Sequence, residues 1–109
     1  MNLRVSGKQI EIGEALPVKV RARLEIAIAK HFDGDADAHM VFAHEGAGYR
    51  ADCTVHLTSG VVQKAEGAGK DVHAAFEAAM EHLEKQLRRY KRRLKNHHQK
   101  ANTLKGQSA

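Results

Sequence analysis

One spacing pattern limits this chain more than any other. Val72, Phe76, Ala79, Met80, Leu83, Leu87, Tyr90 and Leu94 recur in alternating steps of three and four residues. Side chains so spaced share one face of an α-helix, here about six turns long at 3.6 residues per turn. Asp71 stands just before the stripe, where a carboxylate can accept from the first free backbone N–H groups. Glu81 with Lys85, and Glu84 with Arg88, are favourable pairs four residues apart. An apolar stripe of this length has to be buried against another element.

The rest of the sequence supplies that element. Leu16, Val20, Leu24 and Ile28 recur every fourth residue and Ala27 widens the stripe, which predicts a first helix over Glu14 to Phe32. Pro17 falls in its first turn, where a missing N–H costs least. Asp33-Gly34-Asp35 should end it. Ahead of it, Asn2 to Ser6 alternates as a strand, Gly7-Lys8 reads as a turn or bulge, and Ile10 and Ile12 resume the alternation. Between the helices lie three strand segments, Ala38 to Glu45, Tyr49 to Leu57 and Val61 to Gly67. Their connections, Gly46-Ala47-Gly48 and Thr58-Ser59-Gly60, are short, so the three should pair antiparallel. The fold class is therefore α+β in the order β-α-β-β-β-α: one four-stranded sheet, two helices packed on one face, the other face wet. A chain of 109 residues allows one domain, placed at 1–95. Beyond Lys95 the stripe is lost, and 96–109 reads as a polar tail or the start of a linker, expected to be disordered.

Charge is distributed unevenly. Residues 1–84 hold 9 Lys and Arg against 13 Asp and Glu, a net of −4, whereas 85–109 hold 9 cations and no acid. Such asymmetry points to a polyanionic partner for the basic end. The cations concentrate at Lys85, Arg88, Arg89, Lys91, Arg92, Arg93 and Lys95, seven within eleven positions. Because the stripe packs inward, they project outward along roughly 15 Å of helix. Arginine predominates, and its planar fork suits bidentate phosphate contacts. The helix macrodipole favours one or two cations near a C-terminus, not seven. Arg21, Arg23 and Lys30, with Lys19 nearby, form a second set on the first helix. Both helices share one side of the sheet, so the two sets could merge into one basic surface.

Other chemistries find little support. No pair among the eight histidines has a ligand spacing with a Cys or carboxylate partner set, and no metal or cofactor is expected. Cys53 alternates inward with Ala51 and Val55, as a small buried hydrophobe would. One cysteine cannot form an internal disulfide. Asp52 and His56 share a strand face but do not make a catalytic set. Gly67-Ala68-Gly69-Lys70-Asp71 faintly resembles a phosphate loop, yet lacks the Gly-Lys-Ser/Thr ending and the parallel βαβ context. No enzyme and no small-molecule substrate are expected. Without a signal-like or membrane-length apolar run, a cytoplasmic protein with no membrane partner is the default.

Three segments carry a family resemblance: Leu3 to Ile12, Ala51-Asp52-Cys53-Thr54-Val55, and the last helix from Asp71 to Ala79 and Leu83 to Lys91. They resemble the ribosome hibernation promoting factors, also called ribosome-associated inhibitor or sigma-54 modulation proteins, over residues 1 to about 96. The resemblance implies a fold like that of double-stranded-RNA-binding domains. It also implies binding to the small ribosomal subunit and its rRNA, in the channel shared by mRNA and tRNA, with inhibition of translation under stress or in stationary phase. Family positions that contact rRNA match Arg23, Lys85, Arg88, Arg89, Lys91 and Arg92. Arg21, Arg93 and Lys95 are basic neighbours added on physical grounds. His73 stands where the family usually has Tyr, and Gly13 where it has a Thr or Ser helix cap. Long members carry a linker and a C-terminal domain that dimerises ribosomes, a domain absent from these 109 residues; a short form and a piece of a long form both fit. Two other readings stand beside this one: a generic double-stranded-RNA binder, and a protein-interaction module regulating a sigma factor.

Overall fold

The computed structural model describes the backbone of residues 1–108 and the side chains of residues 1–93. The elements run β1 (Asn2–Lys8), α1 (Ala15–His31), β2 (Ala36–Glu45), β3 (Gly48–Leu57), β4 (Val62–Gly69) and α2 (Val72–Ser108). The order β-α-β-β-β-α agrees with the sequence pattern. One mixed sheet is built in the order β1-β2-β3-β4. β2–β3 and β3–β4 pair antiparallel, as their short connections require, and β1 pairs parallel to β2 through the crossover of α1.

Alternation puts Met40 and Phe42 of β2 and Ala51, Cys53 and Val55 of β3 on one face, where they meet Leu24 of α1 and Phe76, Met80, Leu83 and Leu87 of α2. Burial pushes the Cys53 thiol up to about 12, so it is held protonated as packing. The opposite face carries His39, Asp52, Thr54 and Lys64 and is open to water.

Two local expectations are corrected. Gly7 and Lys8 lie within β1, and the chain turns one residue later at Gln9, whose φ is 60°. Gly7 serves a close approach instead: a Cβ there would sit 2.5 Å from the Ile10 carbonyl oxygen. Ile10 and Ile12 do not resume a strand but pack, partly buried, on the core. Elsewhere β2 begins two residues before its predicted start and β4 runs two beyond its predicted end.

The α1 N-terminus has Glu14 at its cap position with no side-chain hydrogen bond, in keeping with glycine at position 13. α2 has the cap that Asp71 predicts, its carboxylate accepting from the Ala74 N–H at 2.8 Å. The α2 backbone is helical past Lys95. The reading of 96–109 as a tail lies outside the described side chains.

α2 lies almost directly on the backbone of β4. A Cβ on Gly67 would come 2.2 Å from the Ala79 nitrogen and 2.6 Å from the Ala78 carbonyl carbon, and one on Gly69 would meet Ala74 and Ala75 at 2.5–2.7 Å. These glycines, which faintly suggested a phosphate loop, therefore allow strand and helix to touch. Gly67→Ala has no flexible neighbour to displace and is expected to cost about 1–3 kcal/mol or more. Urea unfolding would show this as a lower midpoint at an unchanged slope; a midpoint equal to wild type would mean that α2 can shift without loss.

Candidate nucleic-acid interface

α2 changes character along its length. In its first half Glu77 and Glu84 point toward α1; in the second half the acids cease. Lys85, Arg88, Arg89, Lys91, Arg92 and Arg93 are all exposed, while Leu87 and Tyr90 between them, and Leu83 just before, are buried. At about 100° per residue these six cations wrap the whole side of the helix turned away from the sheet. Lys95 lies outside the described side chains.

Two anchors fix that orientation, and neither was visible as a sequence pattern. His82 donates from Nδ1 to the Glu66 carbonyl, and Gln86 Nε2 donates to the Lys64 carbonyl at 2.6 Å. Both partners lie on β4, an edge strand, so these bonds occupy carbonyls that would otherwise be open to another strand. Nearer the C-terminal half, the Tyr90 hydroxyl and Ser59 Oγ are 2.8 Å apart, and the Tyr90 ring lies 6.2 Å from that of Phe32.

The helices run parallel, since Lys19 meets His73, Arg23 meets Glu77, and Lys91 meets the carbonyl of Lys30. Of the α1 cations, Lys19, Arg23 and Lys30 lie on the α2 side. Arg21 lies on the other flank, donating to the Met1 carbonyl at 3.2 Å and to Glu25 at 3.4 Å. The structure thus brings Arg23 and Lys30 toward the α2 run and leaves Arg21 apart from it. Arg23 is also occupied: it grips both Glu77 oxygens at 2.8 Å, approaches Glu84 at 4.0 Å, and lies over the Phe76 ring at 5.8 Å. Exposed ion pairs contribute little, about 0.2–1 kcal/mol, so a phosphate could displace this one.

The point of merger is the C-terminal end of α1. Lys91 reaches across to donate to the Lys30 carbonyl at 3.1 Å, and half-buried His31 lies among Lys30, Arg88, Lys91 and Glu84. The His31 Nδ1 is buried without a hydrogen-bond partner. Burial first, then the charges of Lys91, Arg88 and Lys30, hold its pKa below the usual 6.5, against an opposing pull from Glu84.

On the open sheet face Arg50 joins Glu66, Asp52 at 3.0 Å and Glu45 at 3.5 Å. Asp52 foremost, then Glu66, raises its pKa further. That face is therefore of mixed sign, whereas the α2 run from Lys85 to Arg93 has no acid within it. Among the described residues, no three His, Cys, Asp or Glu side chains group as a metal site, and no helix is long and apolar enough to cross a membrane.

A four-stranded sheet backed by two parallel helices, with arginines crowding the outer side of the second, defines a small α+β module with a strongly basic helix face. The chain belongs to the sigma 54 modulation protein / S30EA ribosomal protein family, whose model matches residues 3–95. It is 45% identical over 98 residues to a ribosome hibernation promotion factor of Rhizobium meliloti, covering 90% of this chain and 52% of that one. It is 31% identical over 97 residues to the ribosome hibernation promoting factor of Escherichia coli, covering 89% of this chain and all of that one. The chain thus spans about half the length of its rhizobial relative. Among solved structures, the N-terminal domain of Thermus thermophilus Protein Y superposes with a TM-score of 0.74 at 30% identity, over 83% of this chain and 99% of that one. A ribosomal subunit interface protein from Coxiella burnetii shares the fold, with a TM-score of 0.72 at 22% identity over 84% of this chain and 98% of that one.

The setting of His31 has a consequence for stability. Its folded pKa lies below its unfolded one, so near pH 6 the unfolded chain binds the proton more readily. Stability from a neutral His31 is present above the unfolded pKa and declines as pH falls through it. The stability difference between wild type and His31→Gln should therefore shift against wild type between about pH 7.5 and 5.5. Urea midpoints across that range would show it, and a difference independent of pH would contradict this account of His31.

Proposed function

We propose that this chain binds the ribosome as a hibernation factor, docking on the small subunit in the channel used by mRNA and tRNA and so blocking translation. The observation that carries the reading is the run from Lys85 to Arg93, with six cations exposed on the side of α2 that packing turns away from the sheet. Lys30 and Arg23 extend it onto α1. Family membership and the names of the relatives supply the choice of ribosome over other polyanions.

The mechanism is occupancy. Arginine forks and lysines meet rRNA phosphates, which fixes position without reading sequence. The folded body then fills space that mRNA and tRNA need. No bond is made or broken, so no catalytic group is assigned, and the setting is the cytoplasm. Arg21, on the far flank of α1, contributes to the overall field more than to direct contact. Lys95 continues the run.

Co-sedimentation with vacant ribosomes over a salt series tests this. If all six described α2 cations neutralise phosphates, the log–log salt slope is about −5, and a fourfold rise in salt weakens binding roughly a thousandfold. Arg88→Glu/Arg89→Glu/Arg92→Glu should lower affinity sharply and flatten the slope by about 3, and excess tRNA should compete with wild type. Failure of folded wild type to bind at low salt would reject the reading. Equal affinity for an unrelated RNA hairpin would reduce it to a generic RNA binder, and salt-resistant binding would point to a protein partner instead.

A further inference from the structure

α1 is apolar on two sides. Its inner face, Leu16, Val20, Leu24, Ala27 and Ile28, is buried as expected. Its outer face carries a second line, Ala15, Val18, Ala22, Ile26 and Ala29, all exposed, with Val18 at 70% and Ile26 at 60%. Nothing in the fold requires these residues. Val18 and Ile26 are large, exposed and β-branched, and β-branched side chains are poor choices for an exposed helix position. A single surface hydrophobe needs no explanation. Here five apolar residues fall in line over four turns, with the alanines spaced seven apart, the interval at which small side chains let another helix lie close.

We propose that this outer face of α1 is a docking site for an acidic amphipathic helix of a protein partner. The charges beside the stripe select the occupant. On the α2 side stand Lys19, Arg23 and Lys30; on the β1 side stands Arg21. The acids among them are Glu25, held by Arg21, Glu77, shared by Lys19 and Arg23, and Glu84, 4.0 Å from Arg23; Lys30 has no acid partner among the described ion pairs. A helix with a Leu or Ala ridge rimmed by Glu and Asp covers the apolar line and meets cations on both flanks. A second copy of the chain fits less well, because it would bring the same four cations against themselves. RNA fits less well too: single-stranded bases stack on aromatic side chains, and the stripe has none. The apolar line is separate from the α2 run, although its flank shares Arg23 and Lys30 with the surface proposed for rRNA; the proposal stands whether or not the ribosome is the target of that run.

The test is an amide NMR titration with a synthetic 20-residue helical peptide carrying a Leu/Ala ridge and Glu flanks. A peptide of the same ridge with Lys flanks and a short RNA duplex serve as comparisons. The Glu-flanked peptide should shift resonances of residues 15–30 and bind at least tenfold more tightly than the Lys-flanked one. Val18→Ser/Ile26→Gln should weaken it about tenfold, leaving duplex binding and the melting temperature unchanged. The proposal is overturned if the peptide shifts only residues 85–93, or if the double variant binds it as wild type does. It is equally overturned if the duplex, not the peptide, moves residues 15–30, or if the chain dimerises through the stripe.

Discussion

Everything this domain presents to a partner depends on the contact between α2 and the backbone of β4. Gly67 and Gly69 remove the side chains that would hold the helix off, and Ala74, Ala75, Ala78 and Ala79 answer from the helix. With the two backbones that close, Phe76, Met80, Leu83 and Leu87 are driven into the sheet face and fully buried. The helix then has no rotational freedom. A turn of one residue would expose part of that stripe and bury an arginine, whose unpaired charge is far costlier to desolvate than any gain in apolar burial. The outward aim of the basic run is thus a result of packing, with His82 and Gln86 fastening the same orientation at the β4 edge.

Against that frame the acids of α2 have a definite task. Glu77 and Glu84 fall on the flank that meets α1, where they hold Arg23 and set the spacing of the helices. Past Glu84 there is no acid, and the flank that was negative becomes positive at Arg88 and Lys91. One end of the interhelical groove is therefore neutralised within the molecule, and the other keeps its positive charge. The cations at the groove's positive end stand near the C-terminus of α1, which stabilises them through the aligned backbone carbonyls.

Much of this was legible in sequence because its causes are local. The stripe of α2, the Asp71 cap, the alternation of β3 and the outward cations follow from helix and strand periodicity and from capping chemistry. What stayed hidden depends on pairs of residues far apart in the chain. That Arg21 and Arg23 lie on opposite flanks follows from helical geometry, but which flank meets α2 follows only from the packed structure. Gly67 and Gly69 gave a weak motif signal, and their part in close packing required the position of Ala78 and Ala79. Gly7 misled for a similar reason. Glycine marks turns, but here it answers a steric need set by Ile10 folding back over the strand.

His31 links the packing to the charge. Its side chain is drawn inward at the end of α1, yet its surroundings are the cations that a polyanion would engage. Two costs keep it neutral: loss of water, and repulsion from Lys91, Arg88 and Lys30. An anion seated on those three cations cancels the second and leaves the first. Were an anion bound there, its binding and the protonation of His31 would favour each other to the same degree. At the merged end of the groove, the sign of the surface and the fit of the two helices thus meet at one half-buried side chain.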